Sequence, residues 1–155
     1  MKSVVIDLPT EHDSSKAAAA LANCLSAPLF LTFRGEIGAG KTTFIRAMLR
    51  TLGVNSAVKS PTFSLVESYQ LPHLQIHHFD LYRIQDEAEL EYIGFRDYFS
   101  RNSVCCVEWP ERASRPFEGV DLDFSITIKG IGREMNIQAL TPLGDEILAC
   151  IAGVL

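Results

Sequence analysis

The sequence predicts an α/β protein, a three-layer sandwich whose central sheet mixes parallel and antiparallel strands. Three observations carry that reading. The first is a glycine-rich loop, Gly35-Glu36-Ile37-Gly38-Ala39-Gly40-Lys41-Thr42, set between the apolar run 29–33 and a helical segment. In that segment Phe44, Ile45, Met48, Leu49 and Leu52 recur on one helical face. The second is Val104-Cys105-Cys106-Val107, apolar at every position, as in a strand covered on both faces. The third is two pairs of strand-like segments around turn residues, 63–69 with 76–82 and 121–129 with 133–140.

Taken along the chain, residues 4–8 (Val-Val-Ile-Asp-Leu) open as a short strand. Thr10 has the character of an N-cap, with Asp13 three residues on in the capping-box position. The alanine-rich stretch 16–25 favours helix by propensity, and Pro28 ends it before the strand at 29–33. After the second helix Gly53 marks a stop, and Lys59-Ser60-Pro61-Thr62 reads as a polar loop. Asp86 with Glu89 marks the start of a short helix through Tyr92, followed by a helical turn at 95–99. Pro110 terminates the strand that runs through Val107 and Glu108. Gly130-Ile131-Gly132 turns the second hairpin, and residues 141–155 form a closing helix with an apolar face. No repeat, low-complexity tract or linker divides residues 1–155, so one domain is expected. Two parallel strands are expected to hold the glycine loop, with hairpins extending the sheet edges.

The loop matches G-x-x-x-x-G-K-[ST] at every specified position, the phosphate-binding P-loop, so the fold expected is P-loop NTPase-like. Its glycines let the backbone approach a phosphate without a Cβ in the way. The amides of Gly38, Ala39 and Gly40, with those at the helix start, then face phosphate oxygens where the helix dipole favours negative charge. Lys41 is placed to reach the β- and γ-phosphates, the Thr42 hydroxyl to ligate Mg²⁺, and Thr43 to contact the α-phosphate. The alternative, a glycine turn before an ordinary helix, leaves the full motif match unexplained. The chain is expected to bind a nucleoside triphosphate.

Composition sets the class. The 155 residues are 47% hydrophobic and 21% charged, ordinary for a globular protein. A net charge of −5 argues against strong direct binding to nucleic acid, although action on it through a partner stays open. No apolar stretch reaches the length of a membrane span. Cys24, Cys105, Cys106 and Cys150 lack metal-ligand spacing, and no secretory signal precedes the domain. Buried thiols in a reducing cytoplasm are the expectation.

A P-loop needs an acid on the Mg²⁺ side, usually at the end of a buried strand. Glu108 follows the four apolar residues of 104–107 and is the preferred candidate. Asp80, after Ile76-His77-His78-Phe79, is the second, orienting or deprotonating water or holding a metal-bound water. A solvated strand-end charge is the plainer reading of each. His77 and His78 alternate faces, so at most one looks toward the site, and hydrogen-bonded scaffolding is its expected use. Trp109 is read beside the γ-phosphate or on a partner-facing surface, against the alternative of core. Thr62 has the setting of a switch threonine, or else of a simple Pro-Thr turn. Arg133 is read as stacking its guanidinium on the base, and Thr10 is counted among the nucleotide contacts.

With these segments in place, the chain resembles the bacterial TsaE (YjeE) family of small P-loop ATPases over essentially its whole length. The markers are residues 35–43, Lys59-Ser60-Pro61-Thr62-Phe63, His78-Phe79-Asp80-Leu81-Tyr82-Arg83, Glu108-Trp109-Pro110-Glu111 and Gly132-Arg133-Glu134. The resemblance implies a role in forming N6-threonylcarbamoyladenosine beside the tRNA anticodon, through ATP- and Mg²⁺-dependent action on the TsaD–TsaB pair. It implies Lys41 and Thr42 at phosphate and metal, Glu108 as metal-side acid, and Asp80 and Trp109 as important to the cycle. Glu36 and Phe63 stand where the family often has Asp and Tyr, outside the specified loop positions.

Other functions fit less well. A small-molecule kinase needs an acceptor pocket and an arginine-bearing lid, for which only the short stretch with Arg112 and Arg115 offers itself. A GTPase switch lacks N-K-x-D, and Asp80-Leu81-Tyr82-Arg83 lacks the glycine of D-x-x-G. A module that binds without hydrolysis leaves the two strand-end acids without a purpose.

Overall fold

A computed structural model describes residues 2–58 and 65–155. The strands are β1 (Ser3–Leu8), β2 (Leu29–Arg34), β3 (Val66–Gln70), β4 (Gln75–Asp80), β5 (Ser103–Glu108), β6 (Leu122–Lys129) and β7 (Gly132–Ala139). The helices are α1 (Glu11–Cys24), α2 (Lys41–Thr51), α3 (Ala88–Tyr92) and α4 (Pro142–Val154), with 3₁₀ turns at Phe95–Tyr98 and Pro110–Arg112. Among the described residues the strands form one sheet in the order β1-β7-β6-β2-β5-β4-β3. The P-loop NTPase-like α/β fold expected from the motif is present.

The parallel part is wider than expected. β2 runs parallel to both β5 and β6, and β5 parallel to β4, so four strands rather than two share one direction. The hairpins are where the alternation puts them, β3 antiparallel to β4 and β6 antiparallel to β7, with β1 added beyond β7. The inner strand of each hairpin joins the parallel core through a crossover, which local alternation does not encode. The buried interiors of β2 and β5 follow from this placement, since helices or loops cover both faces.

On one face α1, α2 and α4 pack over Leu31, Phe33, Val104, Cys106, Leu122 and Phe124. Phe33 stacks on Phe124 at 4.6 Å between ring centroids, and Phe44 of α2 closes the cluster. On the other face Phe30, Phe79, Cys105 and Val107 lie under Leu90, Phe95, Tyr98 and Phe117. Those two covers and the sheet make the three layers.

Thr10 caps α1 with the full reciprocal box: its hydroxyl accepts from Asp13 N, and the Asp13 carboxylate accepts from Thr10 N. The helix therefore starts at Glu11, earlier than propensity alone suggests. Asp86 accepts from Ala88 N, but α3 begins without the box expected of Asp86 and Glu89. The expectation of four free thiols is corrected. Cys24 at the end of α1 and Cys150 in α4 form a disulfide across 126 residues, because packing α4 beside α1 brings them together. Cys105 and Cys106 are free and buried.

Candidate functional site

The site grows from the carboxyl ends of three neighbouring parallel strands. β2 leads into the glycine loop, and α2 starts at Lys41 directly after it. Two glycines are required by geometry. A Cβ on Gly35 would lie 2.6 Å from the Ile126 carbonyl oxygen of β6, and Gly40 caps α2 with φ 106°. A side chain at either position would push the loop off the sheet or strain its turn.

Lys41 is buried and curls back on its own loop. Its Nζ donates to the carbonyls of Gly35 at 2.5 Å and Glu36 at 2.9 Å, and lies 4.3 Å from the centre of the Trp109 ring. Burial pushes its pKa below the usual lysine value, while the negative charges of Glu108, Glu111 and Asp80 oppose that shift. The buried ammonium thus has two carbonyl partners and no directly bonded counter-ion among the described residues. An anion such as phosphate would supply one.

β4 and β5 deliver the two acids. Asp80 and Glu108 are register partners in the parallel pair, so their side chains stand next to each other on the face that carries α2. Both are buried, at 6% and 2% exposure, which excludes the solvated strand-end reading. The Thr42 hydroxyl lies 3.0 Å from each carboxylate oxygen of Glu108 and donates to that carboxylate. Asp80 accepts from the backbone amide of Tyr82 at 3.0 Å. The available donors are a hydroxyl and two carboxylates, all oxygen, the set a hard cation takes when it also binds phosphates. No cluster of three or more His, Cys, Asp or Glu suited to holding a metal without a substrate occurs among the described residues.

Trp109 follows Glu108 in the left-handed conformation, φ 58°, an uncommon setting for a bulky residue. Its amide donates to Phe33 O, which ties the turn to β2. Its ring meets Tyr82 at 4.9 Å, and Arg112 lies over both rings. A cavity of about 370 Å³ opens here, lined by Gly40, Lys41, Thr42, Asp80, Glu108 and Trp109, among others. A second cavity, about 410 Å³, lies on the opposite sheet face beside Thr32, Arg34, Phe117 and Asp123. Its Asp123 is already satisfied by Thr32 and Arg34, and no phosphate-binding loop faces it. The chemistry belongs to the smaller cavity.

A family model described as Threonylcarbamoyl adenosine biosynthesis protein TsaE matches residues 8–136. The chain belongs to the TsaE family. It is 40% identical over 124 residues to the tRNA threonylcarbamoyladenosine biosynthesis protein TsaE of Haemophilus influenzae, covering 80% of this chain and 78% of that one. The Bacillus subtilis protein of the same name is 40% identical over 135 residues, covering 86% and 83%. The crystal structure of YdiB from Bacillus subtilis superposes with a TM-score of 0.78 at 25% identity, over 98% of this chain and 95% of that one.

Within this TsaE family fold, Gly38, Gly40, Lys41, Thr42, Thr43, Asp80, Glu108 and Trp109 come together as the sequence suggests. Ala39 is buried in the loop. Arg133 binds the glycine loop itself. Its guanidinium donates to the carbonyls of Ala39 at 3.0 Å, Gly38 at 3.1 Å and Gly132 at 2.8 Å, bracing the loop from the β6–β7 turn. Thr10 sits beyond Leu8 and Pro9, the segment against which Gly132 packs, and its hydroxyl is engaged with Asp13. Thr62, with its loop and Phe63, lies outside the described residues.

Sequence reasoning left Tyr82 and Arg83 unassigned, and expected a scaffolding histidine without naming its partner. Tyr82 and Arg83 line the cavity after Asp80, and His78 contacts Glu108 from β4. Alternation marks His78, since it shares a face with Asp80 two residues later. No local pattern marks its partner, 30 residues away.

Proposed function

We propose that this single domain is a cytoplasmic Mg²⁺-dependent ATPase that supports N6-threonylcarbamoyladenosine modification of tRNA by binding and resetting the TsaD–TsaB complex. The observation that carries the reading is the convergence of Lys41, Thr42, Asp80 and Glu108 on one cavity at the carboxyl ends of β2, β4 and β5. The names of its relatives support the pathway, and the P-loop supports the nucleotide.

The chain's own groups divide the work. The loop amides and the start of α2 receive the phosphates, while Arg133 fixes the loop from outside. Lys41 leaves the Gly35 and Glu36 carbonyls for phosphate oxygens, gaining a directly bonded counter-charge that offsets its desolvation. Thr42 and Glu108 would hold Mg²⁺, which neutralises charge on the phosphates when bound. Asp80 orients the attacking water, and the Trp109–Tyr82–Arg112 stack forms the wall that limits solvent entry. Nucleic acid is reached through the partner proteins, in keeping with the net charge of −5.

The test is release of inorganic phosphate from ATP by the purified chain, with and without Mg²⁺ and with and without TsaD–TsaB. Slow Mg²⁺-dependent hydrolysis that accelerates with the partners is expected, and Lys41→Ala should lose nucleotide binding. Hydrolysis indifferent to TsaD–TsaB removes the resetting role. Rapid transfer to a small-molecule acceptor replaces the reading with a kinase.

A further inference from the structure

His78 is fully buried on β4, two residues before Asp80 and facing α2 with it. Its Nε2 lies 2.5 Å from Glu108 Oε2, the carboxylate that also accepts from Thr42. Its Nδ1 has no hydrogen-bond partner among the described residues. The two ring nitrogens therefore occupy unlike environments, one against a carboxylate and one buried without a partner among the described residues.

That asymmetry assigns the proton. A buried N–H with no acceptor is rarer and more costly than a buried lone pair left alone. Nε2, which faces a carboxylate that accepts, therefore carries a proton and donates it to Glu108. A ring whose only job was to fill space would be better served by an apolar side chain, which has no polar atom to strand.

We infer that His78 is a positioning residue: its Nε2–H anchors the Glu108 carboxylate in the orientation that faces Thr42. This rests on the reading of Glu108 as the metal-side acid. A glutamate has three rotatable side-chain bonds, and the ammonium of Lys41 is close enough to influence it. The strand end fixes only the Glu108 backbone. One buried donor of fixed direction, held by the β4–β5 pairing of Asp80 with Glu108 and of His78 with Cys106, fixes the rest. Outer partners of metal-side carboxylates and histidines act in this way in metal sites generally.

Three substitutions separate positioning from packing. The amide nitrogen of Gln reaches the place of Nε2, whereas that of Asn reaches only the place of Nδ1, and Leu offers no donor. Binding of a non-hydrolysable ATP analogue to the full chain is measured by calorimetry, first in EDTA and then across a Mg²⁺ titration. His78→Asn and His78→Leu should raise the Mg²⁺ half-saturation about tenfold or more, while His78→Gln stays within about threefold of wild type. Analogue affinity in EDTA should be unchanged in all three. His78→Asn matching a Mg²⁺-responsive wild type, or His78→Gln no better than His78→Leu, overturns the inference alone. A wild type whose analogue affinity ignores Mg²⁺ overturns the metal-side reading of Glu108 and the inference with it.

A second measurement needs neither metal nor variant. Long-range ¹H–¹⁵N correlation spectra of the nucleotide-free wild type should show a proton on His78 Nε2. An Nε2 without a proton refutes the inference even if every substitution at this position prevents folding.

Discussion

Replacing Glu108 probes the folded core and the proposed reaction at once, because one carboxylate is placed to serve both. In Glu108→Ala the Thr42 hydroxyl, half-buried at the cavity, can turn to water, but His78 Nε2–H cannot. A buried donor left without an acceptor costs about 1–3 kcal/mol. Loss of one buried methylene adds about 0.8 kcal/mol. Removing a buried negative charge that also steadies Lys41 acts in both directions, so the net expectation is a loss of about 2–4 kcal/mol. For a chain of this length that corresponds to a Tm lower by about 5–15 °C. Glu108→Gln keeps one carbonyl oxygen for one of the two donors and conserves volume. Its cost should be about 1 kcal/mol, the difference between a charge-assisted and a neutral hydrogen bond. Both variants should lose about 100-fold or more in Mg²⁺-dependent ATP hydrolysis, since an amide supplies no charge to the metal side. Thermal melts followed by circular dichroism and a phosphate-release assay read the two effects separately. Wild-type hydrolysis by Glu108→Gln would refute the metal-side role. An unchanged Tm for Glu108→Ala would refute the shared hydrogen bonding of Thr42, His78 and Glu108.

Further outcomes follow from the same geometry. Gly35→Ala sets a Cβ 2.6 Å from a backbone oxygen of β6 at φ 152°, so a loss of about 2–4 kcal/mol and much weaker nucleotide binding are expected in denaturation and binding titrations. Burial raises the Cys105 pKa to about 12 and that of Cys106 well above its ordinary value, so neither should react with a thiol-alkylating reagent until the protein unfolds. Labelling of either in the native protein would contradict their burial. Reduction of Cys24–Cys150, or Cys24→Ser, releases a constraint spanning 126 residues and should lower unfolding stability by about 5 kcal/mol on chain-entropy grounds. Comparison of denaturation midpoints with and without reductant checks this. Burial lowers the pKa of His77, which is held between Ser68 and Ser103. The unfolded chain therefore takes up a proton at a pH where the folded one does not. Stability should fall as pH drops through the ordinary histidine value and level off below the folded one. His77→Gln should flatten that slope in denaturation curves between about pH 8 and about pH 5, and an unchanged slope would assign the proton elsewhere.

Much of the site was legible because its parts are local. Residues 35–42 encode a turn, a set of inward amides and a helix start within one contiguous stretch, so no distant pairing is needed to recognise them. The unbroken apolar run 104–107 likewise announced a strand covered on both faces, with Glu108 at its carboxyl end. The cap at Thr10 and the β6–β7 hairpin were visible for the same reason, since each closes over only a few residues.

Distance in the chain hid the rest. The alternation of 121–129 shows a strand but carries no sign that β6 lies parallel to β2, near the middle of the sheet. The triangle of Thr42, His78 and Glu108 depends on β2, β5 and β4 standing side by side. The grip of Arg133 on Gly38 and Ala39 spans more than 90 residues, and the Cys24–Cys150 bridge spans 126. Backbone conformation and side-chain periodicity arise from neighbours, so composition and spacing alone specify a phosphate-binding loop, its helix and the strands that could flank it. Which strand lies against which, and therefore which acid meets Thr42 and which donor holds that acid, follows from crossover paths and the burial of whole faces. Those are properties of the assembled sheet, and they gather Thr42 and His78 around the Glu108 carboxylate beside the glycine loop.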